Sequence, residues 1–273
     1  MSKQLQELCR QVRKDTVQSI YLAGSGHPGS SLSAVEIMVT LYFTDVFRCN
    51  PAQPQDSLRD RFILSKGHAA PAYYSVLAHK GFFPRESLHT LRKLGSALQG
   101  HPNMEKLPCL DMAVGSLGQG LSIANGMAWA LKRQQSTSHV FCLIGDGEQQ
   151  EGQIWEAAMF ASQHKLDNVC LIVDVNGLQL VDAVAGIKNM NAAATQWQSF
   201  GWHATCVDGH SIPALYEAFR QAEERRGKPS VILANTVKGK GVSYMENQAE
   251  WHGTAPNERQ YKSAMRELTR EER

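Results

Sequence analysis

Residues 139–164 read HVFCLIGDGEQQEGQIWEAAMFASQH. An apolar run of strand type, HVFCLI, leads into a glycine-rich turn, and the turn leads into a stretch with helical spacing of apolar residues. A strand, a glycine turn and a helix in that order make the opening of a βαβ unit. In such units, ligands gather beyond the carboxyl ends of the strands. Asp146 stands at that end of the strand, where a hard cation bound to phosphate needs an oxygen ligand, and Gly147 lets backbone approach the phosphate. Thirty residues on, a second strand-like run, VCLIVDV, ends at Asn176. Neighbouring strand ends would bring the Asp146 carboxylate and the Asn176 amide oxygen to one ion, and so sparse a set suits Mg²⁺. The same residues also read as a helix cap at Asp146 and a turn at Asn176.

Outward from this stretch, the runs RFILS, HATCVD and SVILANT add further strand candidates. Segments such as SIPALYEAFRQAEERRG alternate with them as helices. The alternation predicts a mostly parallel α/β sheet with helices on both faces. Residues 1–273 show no repeat, linker or compositional break, so the chain reads as one domain. Leu5, Leu8, Val12 and Ile20 predict an N-terminal helix, and Ser33 with Glu36 has the spacing of a capping box for a later one. The last stretch, ERQYKSAMRELTREER, reads as a charged, solvated helix.

The composition narrows the partners. The 28 basic and 26 acidic residues leave a formal charge of +2, which makes no case for a nucleic-acid or membrane surface. The N-terminus lacks a signal-peptide pattern and no run of about 18 apolar residues occurs, so a soluble cytoplasmic protein is expected. Cys9, Cys49, Cys109, Cys142, Cys170 and Cys206 are scattered without a C-x-x-C pair and read as reduced thiols.

Two glycine clusters invite a nucleotide reading. Residues 24–30, GSGHPGS, contain G-x-G-x-x-G, but helix precedes the first glycine where a dinucleotide fingerprint needs a strand. Residues 115–120, GSLGQG, precede an alanine-rich helical stretch, whose first N–H groups could face an anion. An ordinary tight turn explains either cluster equally well.

The order of the motifs is more specific than any one of them. GDG followed about thirty residues later by Asn resembles the thiamin diphosphate motif. SGHPGSSLSAVEI, LSKGHAAPAYYSVLA, LQGHPN, GSLGQGLSIANGMA, GDGEQQEGQIWEA, DVNGLQ, FGWHATCVDGH and TVKGKGVSYMENQAEWHG, taken in sequence, resemble the transketolase family. The resemblance spans nearly the whole chain and implies the diphosphate-binding α/β fold. It implies thiamin diphosphate with Mg²⁺, or Ca²⁺ or Mn²⁺ in its place, on Asp146, Asn176 and the main-chain carbonyl of Leu178. Gly147 then meets the diphosphate, while Gly115, Leu117 and Leu180 border the cofactor. By the same resemblance His27 and His68 line the donor channel and the reacting carbon of the cofactor, His101 bonds donor hydroxyls, and His252 lies near the diphosphate. Histidine suits these tasks because it donates, accepts and transfers protons near neutral pH.

A full transketolase continues into pyrimidine-binding and C-terminal domains, and the former supplies the glutamate that activates the cofactor. The resemblance therefore implies either a shortened piece of a longer transketolase or, as the favoured expectation, an N-terminal subunit of a split transketolase, with two copies each of this chain and of a second polypeptide carrying those domains. Glu151 matches the family glutamate that meets the partner carboxylate; alternatively, it is a first-turn glutamate facing the helix dipole. The activity implied is transfer of a two-carbon ketol unit from a ketose phosphate to an aldose in the pentose phosphate pathway. The rival readings are a specialised sugar-catabolic transketolase, a thiamin enzyme acting on pyruvate, an unrelated dinucleotide-binding protein and a silent regulatory subunit. LQLVDAVAG departs from the commoner family pattern after Asp182, which puts that loop's shape in question.

Overall fold

A computed structural model describes residues 2–180, 182–188 and 193–270. The strand-like runs form β1 (Arg61–Leu64), β2 (Val140–Gly145), β3 (Val169–Val175), β4 (His203–Asp208) and β5 (Ser230–Asn235). They make one parallel sheet in the order β1-β2-β3-β5-β4. The central strands are buried on both faces, which is why their sequences are continuously apolar rather than alternating.

The helices are α1 (Ser2–Ala23), α2 (Pro28–Ser33), α3 (Val35–Phe43), α4 (Ala70–Lys80), α5 (Gly120–Arg133), α6 (Gly152–Gln163), α7 (Val184–Ile187), α8 (Ala193–Ser199), α9 (Ile212–Glu224) and α10 (Glu258–Thr269). Successive strand residues point to opposite faces. Phe141 and Leu143 of β2 accordingly pack with α1, α3, α4 and α9, whereas Cys142 and Ile144 pack with α5, α6 and α8. Phe141 is fully buried, its ring edge-on to Phe219 of α9 at 6.1 Å. Truncating it to alanine would cost about 3–5 kcal/mol through lost burial and the cavity left behind.

Two local expectations need correction. Ser33 ends α2 instead of capping α3: its hydroxyl donates to Asp174 Oδ2 at 2.7 Å, and Glu36 is taken by Arg13 and His210. The C-terminal stretch is not wholly solvated either. A true capping box at Asn257 and Gln260 starts α10, whose Ala264 and Leu268 are buried with Val17, Leu32 and Val242. Tyr261 also stacks on Tyr21 of α1 at 4.2 Å.

GSGHPGS joins α1 to α2, as its flanking helical patterns predict. Gly26, at φ +149°, presses so closely on Ile20 that a Cβ there would lie 2.9 Å from that side chain. All six cysteines are free, three of them buried. No helix among the described residues is long and apolar enough to cross a membrane.

Candidate active site

The register of β2 on β3 sets the centre of the site. Gly145 pairs with Asp174, so the two chains leave the sheet side by side, and Gly177 N donates to Asp146 Oδ2 at 2.6 Å. Asp146 Oδ1 accepts from Gly147 N at 2.8 Å. Asp146 thus does cap the turn that follows it, and the same carboxylate ties the ends of β2 and β3 together. Burial, followed by the nearby Asp174 charge, pushes its pKa up to about 6. A carboxylate kept short of counter-charge in this way is a ready cation ligand.

Asn176 donates from Nδ2 to Asp174 Oδ2 at 3.1 Å, which fixes the amide's orientation; its Oδ1 accepts from Leu178 N at 3.2 Å and keeps a second lone pair. Asp174 is itself fully buried and takes hydrogen bonds from Lys66, Ser33 and Thr236. Those donors hold its carboxyl below the usual range although burial opposes them. Among the described residues, no three His, Cys, Asp or Glu side chains gather as a metal cluster. The candidate ligands are instead a carboxylate, an amide oxygen and a carbonyl, an all-oxygen set that fits a hard divalent ion bound also by phosphate.

Lys238 is the functional candidate that motif reading missed. Its side chain is fully buried, and Nζ donates to the carbonyls of Leu178 and Gln179 at 3.2 Å each and to His252 Nδ1 at 2.9 Å. Burial, then the Lys66 charge, lowers its pKa to about 8. A buried ammonium beside the Leu178 carbonyl and the Asp146 turn is suited to an anion such as a diphosphate. The signal was in the sequence, as the lysine of TVKGKG, but nothing local distinguished it from Lys240.

Three of the four singled-out histidines form one cluster. Ring centroids lie 5.4 Å apart for His27 and His68, 5.5 Å for His27 and His252, and 5.1 Å for His68 and His252. His101 borders them, beside Gly67 and Gly115. All four are held neutral. Burial leads in each case, joined by Arg92 at His27 and His101, Lys66 at His68 and Lys238 at His252; His27 and His252 are lowered to about 4. The tautomers follow from the donors that face them. Lys238 Nζ points at Nδ1 of His252, and Arg92 Nη2 lies 3.4 Å from Nδ1 of His27. Both rings therefore carry their proton on Nε2.

The GSLGQG turn differs from the anion-binding reading. Gly118 N donates to Glu148 Oε1 at 2.9 Å and Gly120 N to Ser65 Oγ at 3.1 Å, so these donors are already spent. Glu148 also accepts from Ser65 Oγ and Gly145 N, and so joins the loops bearing His68, Leu117 and Asp146. Gly115, Leu117 and Leu180 stand exposed at the rim. Glu151 stands at the N-cap position just before α6 without a side-chain cap bond, exposed beside Gly118. Asp182 leads into the one-turn helix α7, and residues 189–192 lie outside the described residues.

A parallel α/β sheet with an acidic turn, an amide and a buried lysine at its carboxyl edge, under a cluster of neutral histidines, defines a diphosphate-binding domain of thiamin-enzyme type. Residues 2–272 match the model of the transketolase, thiamine diphosphate binding domain family, and the chain belongs to that family. It is 42% identical over 267 residues to the 6-deoxy-6-sulfo-D-fructose transketolase subunit SqwG of a Clostridium strain, covering 98% of this chain and 97% of the relative. It is 41% identical to one of the subunits of the apulose-4-phosphate transketolase of Phocaeicola vulgatus, covering 94% and 91%. The crystal structure of transketolase from Campylobacter jejuni superposes with a TM-score of 0.90 at 33% identity, over 97% of this chain and 42% of that one. The chain thus spans about two fifths of that transketolase and nearly the whole of the other two relatives. The transketolase resemblance and the α/β fold it implied are borne out, as is the reading of a thiamin diphosphate domain.

Proposed function

We propose that this chain is the diphosphate-binding subunit of a split, cytoplasmic transketolase, active with a second polypeptide that carries the pyrimidine-binding domain, two copies of each. The observation that carries the reading is the convergence of Asp146, Asn176, Leu178 and Lys238 beneath His27, His68 and His252. The exposed rim of Leu117, Leu180 and Glu151 is where the partner chain would close the site.

Mg²⁺, or Ca²⁺ or Mn²⁺, fits the oxygens of Asp146, Asn176 and Leu178, with Lys238 against the diphosphate; Gly147, whose N–H is taken by Asp146 Oδ1, would contribute close backbone approach to the diphosphate rather than a free donor. Thiamin diphosphate, when bound, supplies a nucleophilic carbon and an electron sink for transfer of the two-carbon ketol unit. The chain's own residues bind, orient and manage protons. His27 and His252 present Nε2–H donors to the donor sugar's oxygens. His68, kept neutral by burial, can accept a hydroxyl proton at neutral pH. His101, beside Gly67 and Gly115, would bond donor hydroxyls. Glu151 would meet a carboxylate of the partner chain, where two acids sharing a proton would couple the sites.

A specialised sugar-catabolic transketolase is the second reading, favoured by the two relatives of matching length, which are named for a sulfosugar and for apulose-4-phosphate. Replacing Asp146 with Ala tests the common core of both. Thiamin diphosphate binding that depends on Mg²⁺ should be lost, and retained tight, metal-dependent binding would overturn the site.

A further inference from the structure

We propose that His210, with Glu36 and Arg13, is a positioning relay that holds Lys238 at the diphosphate site. The proposal rests on the reading of Lys238 given above. Lys238 lies on a connection with no regular structure after β5, so its placement depends on what grips the backbone on either side.

Besides the backbone bonds from Gly239 N to Gly29 O at 3.0 Å and from Asn247 N to Lys238 O at 2.9 Å, two side chains joined through one carboxylate do so. Immediately before Lys238, Val237 N donates to His210 Nε2 at 2.8 Å. Two residues after it, the Lys240 carbonyl accepts from Arg13 Nε at 3.0 Å. Both grips end on one carboxylate. Arg13 makes a two-point pair with Glu36, Nη1 to Oε1 at 2.7 Å and Nη2 to Oε2 at 2.6 Å, and His210 Nδ1 donates to Glu36 Oε2 at 2.9 Å. Arg13 and Glu36 are buried, so water competes weakly for these bonds. Gly241, at φ +91°, lets the connection lie against the Arg13 stem, where a Cβ would approach Arg13 Cδ to 3.1 Å.

The relay fixes a tautomer opposite to that of His27 and His252. Because Val237 N–H points at Nε2, that nitrogen must carry the lone pair, and the proton sits on Nδ1, facing Glu36. The arrangement parallels the way carboxylates orient metal-binding histidines, except that the oriented ring here holds a backbone amide beside a buried lysine. Glu36 belongs to α3, Arg13 to α1 and His210 to the turn after β4, so three separate elements fix one short connection.

The test combines two readouts on the full chain. In the unaltered protein, ¹⁵N NMR of the His210 ring should show a stable Nδ1–H tautomer; an Nε2–H tautomer would overturn the relay. With Mg²⁺ saturating, His210→Ala should weaken thiamin diphosphate binding by about tenfold, as loss of a ligand-orienting partner does. His210→Gln, whose side-chain oxygen can take the place of Nε2, should restore most of it. In a Lys238→Met background, His210→Ala should change binding by less than about twofold, because residues acting as one unit are not additive. An unaltered constant for His210→Ala, or the same loss in both backgrounds, would overturn the proposal. Native binding by Lys238→Met alone would instead remove the diphosphate role of Lys238, while the tautomer result still judged the grip on Val237.

Discussion

Glu148→Ala tests how far one buried carboxylate organises the site. Glu148 is 4% exposed and accepts from Gly118 N at 2.9 Å, from Gly145 N at 3.2 Å and from Ser65 Oγ. Alanine leaves two backbone N–H groups without an acceptor, each costing about 1–3 kcal/mol when buried, although Ser65 can turn its hydroxyl elsewhere. Part of the loss is offset because the carboxylate is itself costly to bury, as its raised pKa shows. A net loss of about 3 kcal/mol is expected, which for a domain of this size lowers Tm by roughly 6–12 °C. Urea and thermal unfolding followed by circular dichroism would measure it. Glu148→Gln, which keeps one acceptor oxygen but turns an NH₂ toward an N–H group, should lose about 1–2 kcal/mol. A loss below about 1 kcal/mol for Glu148→Ala would refute the reasoning, since it would mean that the orphaned amides reach water or new partners.

The histidines and the close-packed glycines give further expected outcomes. His68→Ala should leave cofactor binding in place and lower turnover of the ketose donor by about 10²-fold in the assembled enzyme, measured by steady-state kinetics; unchanged turnover would remove its role. Gly120→Ala should cost about 1–3 kcal/mol or more in urea unfolding, because its Cβ would fall 2.3 Å from Ser65 Cβ. Acid should weaken the fold through the histidine cluster. His27 and His252 are lowered from 6.5 to about 4, so between those values the unfolded chain binds protons that the native chain refuses, and stability falls as pH drops. Urea midpoints across that range should show a shallower slope for a His27→Gln, His252→Gln double variant, and an unchanged slope would contradict the neutral assignment.

The parts of the fold that could be read from sequence were those set by local pattern. RFIL, VFCLIG, VCLIVDV, HATCVD and SVILAN are short apolar runs between turn residues, and each became a strand. Asp146 and Asn176 were legible because the ends of adjacent parallel strands must lie together. What escaped was decided by distant partners. Ser33 is 141 residues from the Asp174 that takes its hydroxyl, and Glu36 is 174 residues from His210; these contacts displaced the local capping box that their spacing suggested. The GSLGQG amides look free until Glu148 is folded back onto them. Lys238 was hidden for a related reason: its sequence neighbours are ordinary loop residues, and only burial beside Leu178, Gln179 and His252 marks it out. The amphipathic C-terminal helix reads as solvated because its buried stripe is just Ala264 and Leu268.

The most direct measurement is ketol transfer itself: release of glyceraldehyde 3-phosphate from xylulose 5-phosphate with ribose 5-phosphate as acceptor, alongside sulfosugar and apulose phosphate donors, with thiamin diphosphate and Mg²⁺ present. The chain alone is compared with its complex with a pyrimidine-domain partner. Turnover of at least one donor by the complex, and none by the chain alone, is the expected result. Turnover by the isolated chain, or a formed complex silent toward every donor, would contradict the split-enzyme reading.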